Sequence, residues 1–300
     1  ATKLFISVDK KMAYNKPNWE LKYADLYKNK NDALFDDLLK RIEKIIAVDG
    51  FIERNRSGFY SPKDRKYSYQ LTPPTYNEPV EKNWEFVKPF FIENIKELQV
   101  KNDVLVGDVL DKKFYCWNKK IVKKTKKLKE KEKQSALLWD CNPISISNVG
   151  HVKKVAYRMT PAAHWVNILA DIGEGDNEEL SEQFTFLTMS LFDAFIIVWK
   201  NKYDTDFIRP VTYINKHIDG KWKPFLDTPI FPEFPSGHST VSMLAAKVLT
   251  NFYGANFAFN DSTQFIYSDV SKSFTSFEEA ALDAGYSRYY GGIHYLEAIE

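Results

Sequence analysis

Apolar side chains that recur at helical spacing are the feature of this sequence that most limits its fold. Leucine and isoleucine return every third or fourth position through residues 34–46, and a stripe of the same period runs through residues 178–199. A third stripe fills residues 241–252, between Ser236, which suits a helix start, and Gly254, which suits a helix end. Strand-like alternation of apolar and polar residues is sparse. The pattern predicts an all-α fold, a helical bundle.

Glycine, proline and apolar spacing also predict where the other helices and loops begin and end. Gly50 should end the first helix, and a last helix should begin around Ala280 and carry Arg288 to the end of the chain. Residues 55–89 are rich in Tyr, Pro, Ser and charge and predict a long irregular loop. Since 300 residues with 44% hydrophobic content can bury a large core, we expect a single domain over 1–300, with N-terminal helices and loops in 1–175 and the motif-bearing half in 176–300.

The charge distribution argues against a polyanionic partner. The formal net charge is only +2, which gives no overall drive toward nucleic acid or an anionic membrane. Nine lysines do crowd residues 119–133 against two glutamates, a local charge of +7. That run could attract a polyanion, but no aromatic residues interleave with the lysines as in nucleic-acid sites. We therefore predict a solvated helix or insertion, and no nucleic-acid partner.

The most apolar segment, residues 184–199, is interrupted by Asp193 and bounded by charge. It predicts a buried helix, so that we expect no integral membrane segment. No charged start followed by an apolar stretch occurs at Ala1. Cys116 and Cys141 belong to no Cys-x-x-Cys pattern, and the sequence leaves open whether they pair.

Three short segments in the C-terminal third carry a set of groups suited to an oxyanion: KNKYDTDFIRP at 200–210, FPSGHS at 234–239 and SRYYGGIH at 287–294. Lys202, Arg209 and Arg288 supply three cations, and guanidinium forks match pairs of oxygens on a tetrahedral anion. Ser236 and Gly237 precede an apolar helix, where free amides and the helix dipole favour negative charge. The set predicts a pocket for vanadate or phosphate.

Two histidines complete the set. His238 in the first helical turn suits an acid–base group, and His294 suits a nucleophile or a metal ligand, because neutral imidazole does either near pH 7. Each motif alone also fits a plainer role: a solvated helix end, an N-cap or a core histidine. Since all three motifs occur in order, we favour the oxyanion pocket.

These motifs resemble the superfamily that joins vanadium-dependent haloperoxidases with type-2 phosphatidic acid phosphatases and bacterial class A acid phosphatases. The resemblance rests on Lys-x6-Arg-Pro, Pro-Ser-Gly-His and Ser-Arg followed by His, within residues 200–294. Weaker similarities to the bacterial haloperoxidase-like branch lie at TPPTYNEPVEKNW (72–84), LWDCNP (138–143) and TPAAHW (160–165). It implies a helical bundle with long irregular loops.

The resemblance also implies roles for the residues. His294 would bind vanadium through Nε2, or attack phosphorus, while the three cations, Ser236 and the amide of Gly237 hold the oxygens. His238 would be the acid–base group. With vanadate as cofactor, the substrates would be peroxide and halide. In the alternative, an acid phosphatase without a cofactor would act on a phosphomonoester or lipid phosphate through a phosphohistidine intermediate.

Trp199 and Phe231 favour the haloperoxidase, because they match positions that line the halide side of the pocket in the fungal chloroperoxidase branch; the plainer alternative is two core aromatics. One departure is Ala298, where haloperoxidases commonly carry an acidic residue four positions after the histidine ligand. Glu297 and Glu300 flank that position; Glu297, one turn from His294, is the predicted substitute that orients its imidazole, and the sequence leaves open which acid does so.

The remaining histidines, at positions 151, 164 and 217, are expected to be structural. The alternative, that His164 or His151 contacts substrate, rests for His164 in PAAHW on the resemblance alone. The resemblance implies secretion or a periplasmic location. The sequence leaves open the oligomeric state, the halide or phosphoester used, and whether the native chain continues past Glu300.

Overall fold

A computed structural model describes residues 59–100, 108–142, 144–149 and 152–299, together with Lys40 and Lys44. The chain divides into two compact units. One comprises residues 58–85 and 89–300 and contains every helix and strand discussed below. The other comprises residues 1–57 and 86–88 and lies mostly outside the described residues. The expectation of a single domain over 1–300, divided near residue 175, stays a prediction.

The larger unit is mostly helical, which confirms the predicted fold class. Its helices are α1 (Asp108–Thr125), α2 (Glu130–Leu138), α3 (Pro161–Ile172), α4 (Asn177–Thr205), α5 (Pro210–His217), α6 (Gly237–Tyr253), the short α7 (Phe265–Ser268) and α8 (Phe277–Tyr290). Short 3-10 turns lie at Ile95–Leu98 and Leu296–Ala298. Residues 59–83 are irregular, as expected for the long loop.

Helix α4 is the central element. The side chain of Asp176 caps its N-terminus by accepting hydrogen bonds from the amides of Glu178 and Glu179, and the helix ends where Asp206 adopts φ 51°. By length and composition α4 alone, among the described residues, could cross a membrane. However, Leu187 and Leu191 are buried against other helices, which is the arrangement predicted for a core helix.

Helix α6 lies between α4 and α8 and packs on both. Small side chains let the backbones approach, since Ala245, Ala280 and Ala284 are all buried in this core. At Gly285 an added Cβ would lie only 3.0 Å from the side-chain oxygen of Ser239. This close packing brings the start of α6 near the end of α8, and both positions carry motif residues.

Two antiparallel hairpins depart from the predicted pattern. Strands β1 (Ile144–Val149) and β2 (Val152–Tyr157) pair with Ile144 opposite Tyr157, and β3 (Phe259–Asp261) pairs with β4 (Lys272–Phe274). Each sheet has only two strands. Residues 144–147 of β1 do alternate between apolar and polar side chains, which is a local strand signal, whereas β3 and β4 have three residues each, too few for one.

The last helix corrects another expectation. It begins at Phe277 and ends at Tyr290 rather than at the end of the chain. The reason is the Gly291–Gly292 pair, in which Gly292 has φ 77°, a conformation that continues no helix. His294 therefore lies in the segment after α8.

The helix predicted through residues 34–46 lies outside the described residues, apart from Lys40 and Lys44, which are helical.

Cys116 and Cys141, both in the described part of the chain, are free thiols, the first exposed and the second buried. The lysine-rich run forms the end of α1, the following turn and the start of α2. Lys119, Lys123 and Lys127 are exposed there, as expected for a solvated helix.

Candidate active site

The motif residues come together where four helix ends meet. Lys202 lies in the last turn of α4, Arg209 precedes α5, Ser236 and Gly237 begin α6, and Arg288 lies in the last turn of α8. His294 follows on the segment after α8. Hydrogen bonds and electrostatic contacts link these residues across the helix ends, although their motifs are up to 92 positions apart.

Lys202 is fully buried, and backbone carbonyls receive its ammonium group. Nζ donates to the carbonyls of Pro232 at 3.2 Å, Glu233 at 3.0 Å and Pro235 at 2.5 Å. Burial, with the nearby charge of Arg209, lowers the pKa of Lys202 well below its ordinary value. The environment therefore disfavours this cation unless a negative charge arrives.

Arg209 is also fully buried and ties the turn at 231–232 to the segment around His294. Its Nε donates to the carbonyl of Phe231 at 2.8 Å, and Nη1 donates to the carbonyl of Ile293 at 2.9 Å. Nη1 also lies 3.1 Å from Nε2 of His294. Burial lowers the pKa of Arg209 to about 10, so the guanidinium remains charged at neutral pH.

Arg288 makes the fewest hydrogen bonds of the three cations. Its Nη1 donates to the carbonyl of Trp139 at 2.7 Å, while Nε is buried without a hydrogen-bond partner among the described residues. Burial lowers the pKa of Arg288 to about 10. Within the described ranges, none of the three cations forms an ion pair with a carboxylate.

Glu233 is the buried carboxylate near these cations and the site residue that sequence reasoning missed. Its Oε1 accepts hydrogen bonds from Nδ1 of His294 at 2.7 Å and from the amide of Tyr295 at 3.0 Å. Burial raises the pKa of Glu233 to about 7. The prediction that Glu297 orients His294 is corrected here, because Glu233 makes that contact. A lone carboxylate in the apolar stretch IFPEFP was the signal that could have identified it.

The hydrogen bonds fix the tautomer of His294. The guanidinium of Arg209 can only donate, so Nε2 keeps its lone pair and accepts from it, and in the neutral ring Nδ1 carries the proton that points to Glu233. Burial, then the charges of Arg209 and Lys202, lower the pKa of this imidazole well below its ordinary value. His294 is therefore neutral and presents Nε2 as a ligand or a nucleophile.

His238 has the opposite orientation. Its Nε2 lies 3.0 Å from the carbonyl of Trp139, which can only accept, so Nε2 carries the proton and Nδ1 is left as the basic atom. Desolvation and then the charge of Arg288 lower the pKa of His238 well below its ordinary value. The ring is neutral and available to accept a proton at Nδ1.

Ser236 serves as the N-cap of α6 without losing its capacity to bind an anion. Its Oγ accepts from the amide of Ser239 at 3.2 Å, and a hydroxyl that accepts still has its own proton to donate. Gly237 lies against Lys202, since a Cβ placed there would be 3.9 Å from Cε of the lysine. Both predicted oxyanion-binding positions therefore adjoin the cations.

Trp199 and Phe231 form an aromatic wall at the same place. Their ring centroids are 5.2 Å apart. Nζ of Lys202 lies 5.1 Å and the guanidinium of Arg209 5.0 Å from the centroid of Phe231. The wall thus borders the two cations, which is the placement that the halide-pocket prediction requires.

The other histidines differ in their settings. His151 lies outside the described residues. His217 is exposed and its ring lies 4.6 Å from that of Tyr213. His164 is fully buried, with Nε2 2.7 Å from Oδ2 of Asp261.

The donor set suits vanadate as an oxyanion. Three buried basic side chains accompany one buried carboxyl group, which is a formal charge of +2, and the unpartnered Nε of Arg288 is a further donor. No group of three or more His, Cys, Asp or Glu side chains that could hold a metal cation occurs among the described residues. These cations and donors, together with the free lone pair on Nε2 of His294, suit a tetrahedral anion that forms one additional bond to a histidine nitrogen.

Comparisons with known proteins identify a matching family model and similar solved structures. A family model for the VCPO second helical-bundle domain matches residues 182–300. The structure is similar to a bacterial vanadium-dependent iodoperoxidase, with a TM-score of 0.75 and 32% identity over 94% of this chain and 70% of the other.

A bacterial vanadium-dependent chloroperoxidase shares the fold at 13% identity. The TM-score is 0.66 for the holo form, covering 87% of this chain and 67% of the other, and 0.60 for the apo form, covering 82% and 58%. A search of curated proteins gave no match.

Proposed function

Because the chain belongs to the superfamily of vanadium-dependent haloperoxidases and acid phosphatases, we propose that it binds vanadate and oxidises halide with hydrogen peroxide. The observation that carries the proposal is the bond arrangement of His294. Its Nδ1–H is fixed on Glu233, and its Nε2 lone pair lies among three buried cations. A neutral imidazole that is oriented from behind by a carboxylate is a strong ligand.

The cations bind and orient the anion. Lys202, Arg209 and Arg288 would neutralise its charge, with the hydroxyl of Ser236 and the amide of Gly237 as further donors. His294 would hold vanadium through Nε2. Bound vanadate would supply a Lewis acid that activates peroxide toward a halide ion.

His238 moves the proton. Its Nε2–H stays on the carbonyl of Trp139, so Nδ1 is the atom that accepts a proton from peroxide and later returns one. Anion binding would offset the charges of Arg288 and Lys202, which now depress the pKa of His238. The base is thereby strengthened when the site is loaded.

The aromatic wall favours oxidation over phosphoester hydrolysis. Trp199 is 6% exposed and stands against Phe231, so this side of the site excludes water and leaves a halide ion weakly solvated. The similarity at 32% identity is to an iodoperoxidase. Iodide is the most readily oxidised of the common halides and is the first substrate to test.

The test uses purified protein freed of bound metal and anion. One sample is loaded with orthovanadate and assayed for iodide, bromide and chloride oxidation with peroxide, and a second is assayed without vanadate for phosphomonoester hydrolysis. The proposal expects vanadate-dependent oxidation of iodide and weak hydrolysis. Hydrolysis that vanadate inhibits, with no halide oxidation, would make the protein a phosphatase instead.

A further inference from the structure

A buried, hydrogen-bonded pair of a histidine and a carboxylate lies outside the set of residues assigned so far. Nε2 of His164, in the first turn of α3, is 2.7 Å from Oδ2 of Asp261 at the end of β3, and both side chains have no exposed surface. The other oxygen of Asp261 accepts from the amide of Thr263 at 3.0 Å and from its hydroxyl at 2.6 Å. Burying such a pair costs desolvation free energy, and the oxyanion site as described does not require it.

The imidazole of His164 contacts the segment that follows α2. Its ring stacks on that of Trp139 with centroids 4.3 Å apart and an interplanar angle of 20°. Its Nδ1 lies 3.7 Å from Sγ of Cys141, and Nε2 of Gln264 lies 3.8 Å from the same sulfur. The His164–Asp261 pair therefore holds residues 139–141 from one side.

The carbonyl of Trp139 faces the active site. It accepts hydrogen bonds from Nη1 of Arg288 at 2.7 Å and from Nε2 of His238 at 3.0 Å. The indole nitrogen of Trp139 donates to Asp283 on α8 at 3.0 Å, which attaches the residue to the helix of Arg288. A single carbonyl thus sets the position of one anion-binding cation and the tautomer of the acid–base histidine.

We infer that His164 and Asp261 are positioning residues of the active site. Asp261 fixes the ring of His164, the ring fixes Trp139, and the Trp139 carbonyl fixes His238 and Arg288. The role in turnover rests on the proposed function, whereas the effect on oxyanion binding does not.

The cluster of Cys141, His164 and Asp261 has the composition of a thiol catalytic triad, but its environment opposes that chemistry. Cys141 is 4% exposed, and burial raises the pKa of its thiol to about 12. The thiol therefore stays protonated and donates to Nδ1 of His164, which is the nitrogen left without a proton when Nε2–H points to Asp261. The thiol completes the positioning network.

The experiment compares H164A and H164Q with H217A as a matched control, because His217 is an exposed histidine on another helix. Phosphate and orthovanadate affinities are measured by calorimetry. The tautomer of His238 is read from ¹⁵N shifts of histidine-labelled protein, and iodide oxidation is assayed in parallel. Circular dichroism and thermal unfolding check the fold of each variant.

We expect H164A to weaken oxyanion affinity and turnover by ~10–100-fold, the range found for groups that orient a site's ligands, and to leave His238 as a mixture of tautomers. H164Q should recover much of the affinity, because an amide N–H can replace Nε2–H toward Asp261. H217A should match the unchanged protein. A folded H164A with unchanged oxyanion affinity and a single His238 tautomer would overturn the inference.

If H164A does not fold, the double variant H164F/D261N replaces it, since it removes the hydrogen bond between the two side chains and the charge of Asp261 and keeps an aromatic ring against Trp139. Loss of affinity and of the fixed tautomer is expected. Wild-type behaviour would show that stacking alone suffices and would also overturn the inference. If the unchanged protein oxidises no halide, the proposed function fails, but affinity and tautomer still decide the positioning role.

Discussion

Glu233→Gln is the substitution that isolates the charge behind His294. Glutamine has the same shape, and its Oε1 can still accept from Nδ1 of His294 and from the amide of Tyr295. The amide nitrogen would take the place of Oε2, which has no hydrogen-bond partner among the described residues. Both hydrogen bonds are therefore kept, and above pH 7, where the carboxyl group is ionised, only the negative charge is lost.

The magnitude follows from the change in bond type. A hydrogen bond to a charged group contributes about 1.5–3 kcal/mol and a neutral one about 0.5–1.5 kcal/mol. The hydrogen bond from Nδ1 of His294 to residue 233 should thus weaken by roughly 1–1.5 kcal/mol. That difference corresponds to a loss of about tenfold in the affinity for vanadate. Phosphate affinity should hold or rise, because phosphate depends on the three cations, and the net positive charge of the site increases by one.

The assay is calorimetric titration of E233Q with orthovanadate and with phosphate, together with iodide oxidation at saturating vanadate. E297Q is the matched control, since Glu297 is the partly exposed acid that the sequence first indicated. The reasoning expects a selective loss of vanadate affinity in E233Q and little change in E297Q. A loss in E297Q, with E233Q unchanged, would refute the assignment of Glu233.

Four further results are expected. Saturating phosphate should raise the pKa of His238, measured by NMR titration, because the anion offsets neighbouring cations; an unchanged pKa would place the anion elsewhere. Acidification below about pH 6.5 should reduce the free energy of unfolding, measured in denaturant titrations, by ~1–2 kcal/mol per pH unit. The reason is that the unfolded chain protonates His238 and His294, whereas the folded chain keeps both neutral. The raised pKa of Glu233 opposes this effect only in part. R209K should weaken phosphate binding about tenfold or more by calorimetry, since lysine cannot reproduce the fork; equal affinity would contradict the contacts of Arg209. F231A should lower iodide oxidation but leave vanadate affinity within about twofold; equal losses in both would make Phe231 a packing residue.

Much of the site could be predicted because its residues lie in short motifs whose types define oxyanion chemistry. Lys202, Arg209 and Arg288 are cations beside a helix start with Ser236 and Gly237, and that combination is visible without a structure. Apolar residues at helical spacing likewise predict α4 and α6, since a long amphipathic stripe has few alternative packings.

The rest depends on contacts between distant positions. Glu233 meets His294 across 61 positions, and His164 meets Asp261 across 97, so no local spacing reveals either pair. The lysine run predicts only a solvated helix or insertion, whereas the helical spacing of Phe114, Trp117 and Ile121 also indicates a buried face of α1. The Gly291–Gly292 pair, which ends α8 before His294, is a local signal that the sequence does contain.

Stoichiometric titration tests the central claim most directly. Orthovanadate is added in steps to the anion-free protein and to H294A, and the initial rate of iodide oxidation by peroxide is followed with each addition. The account predicts that activity rises to a plateau at one vanadium per chain and is absent from H294A, which should still bind phosphate through its cations. Activity without vanadate, or an H294A variant that saturates like the unchanged protein, would contradict a vanadate site built on His294.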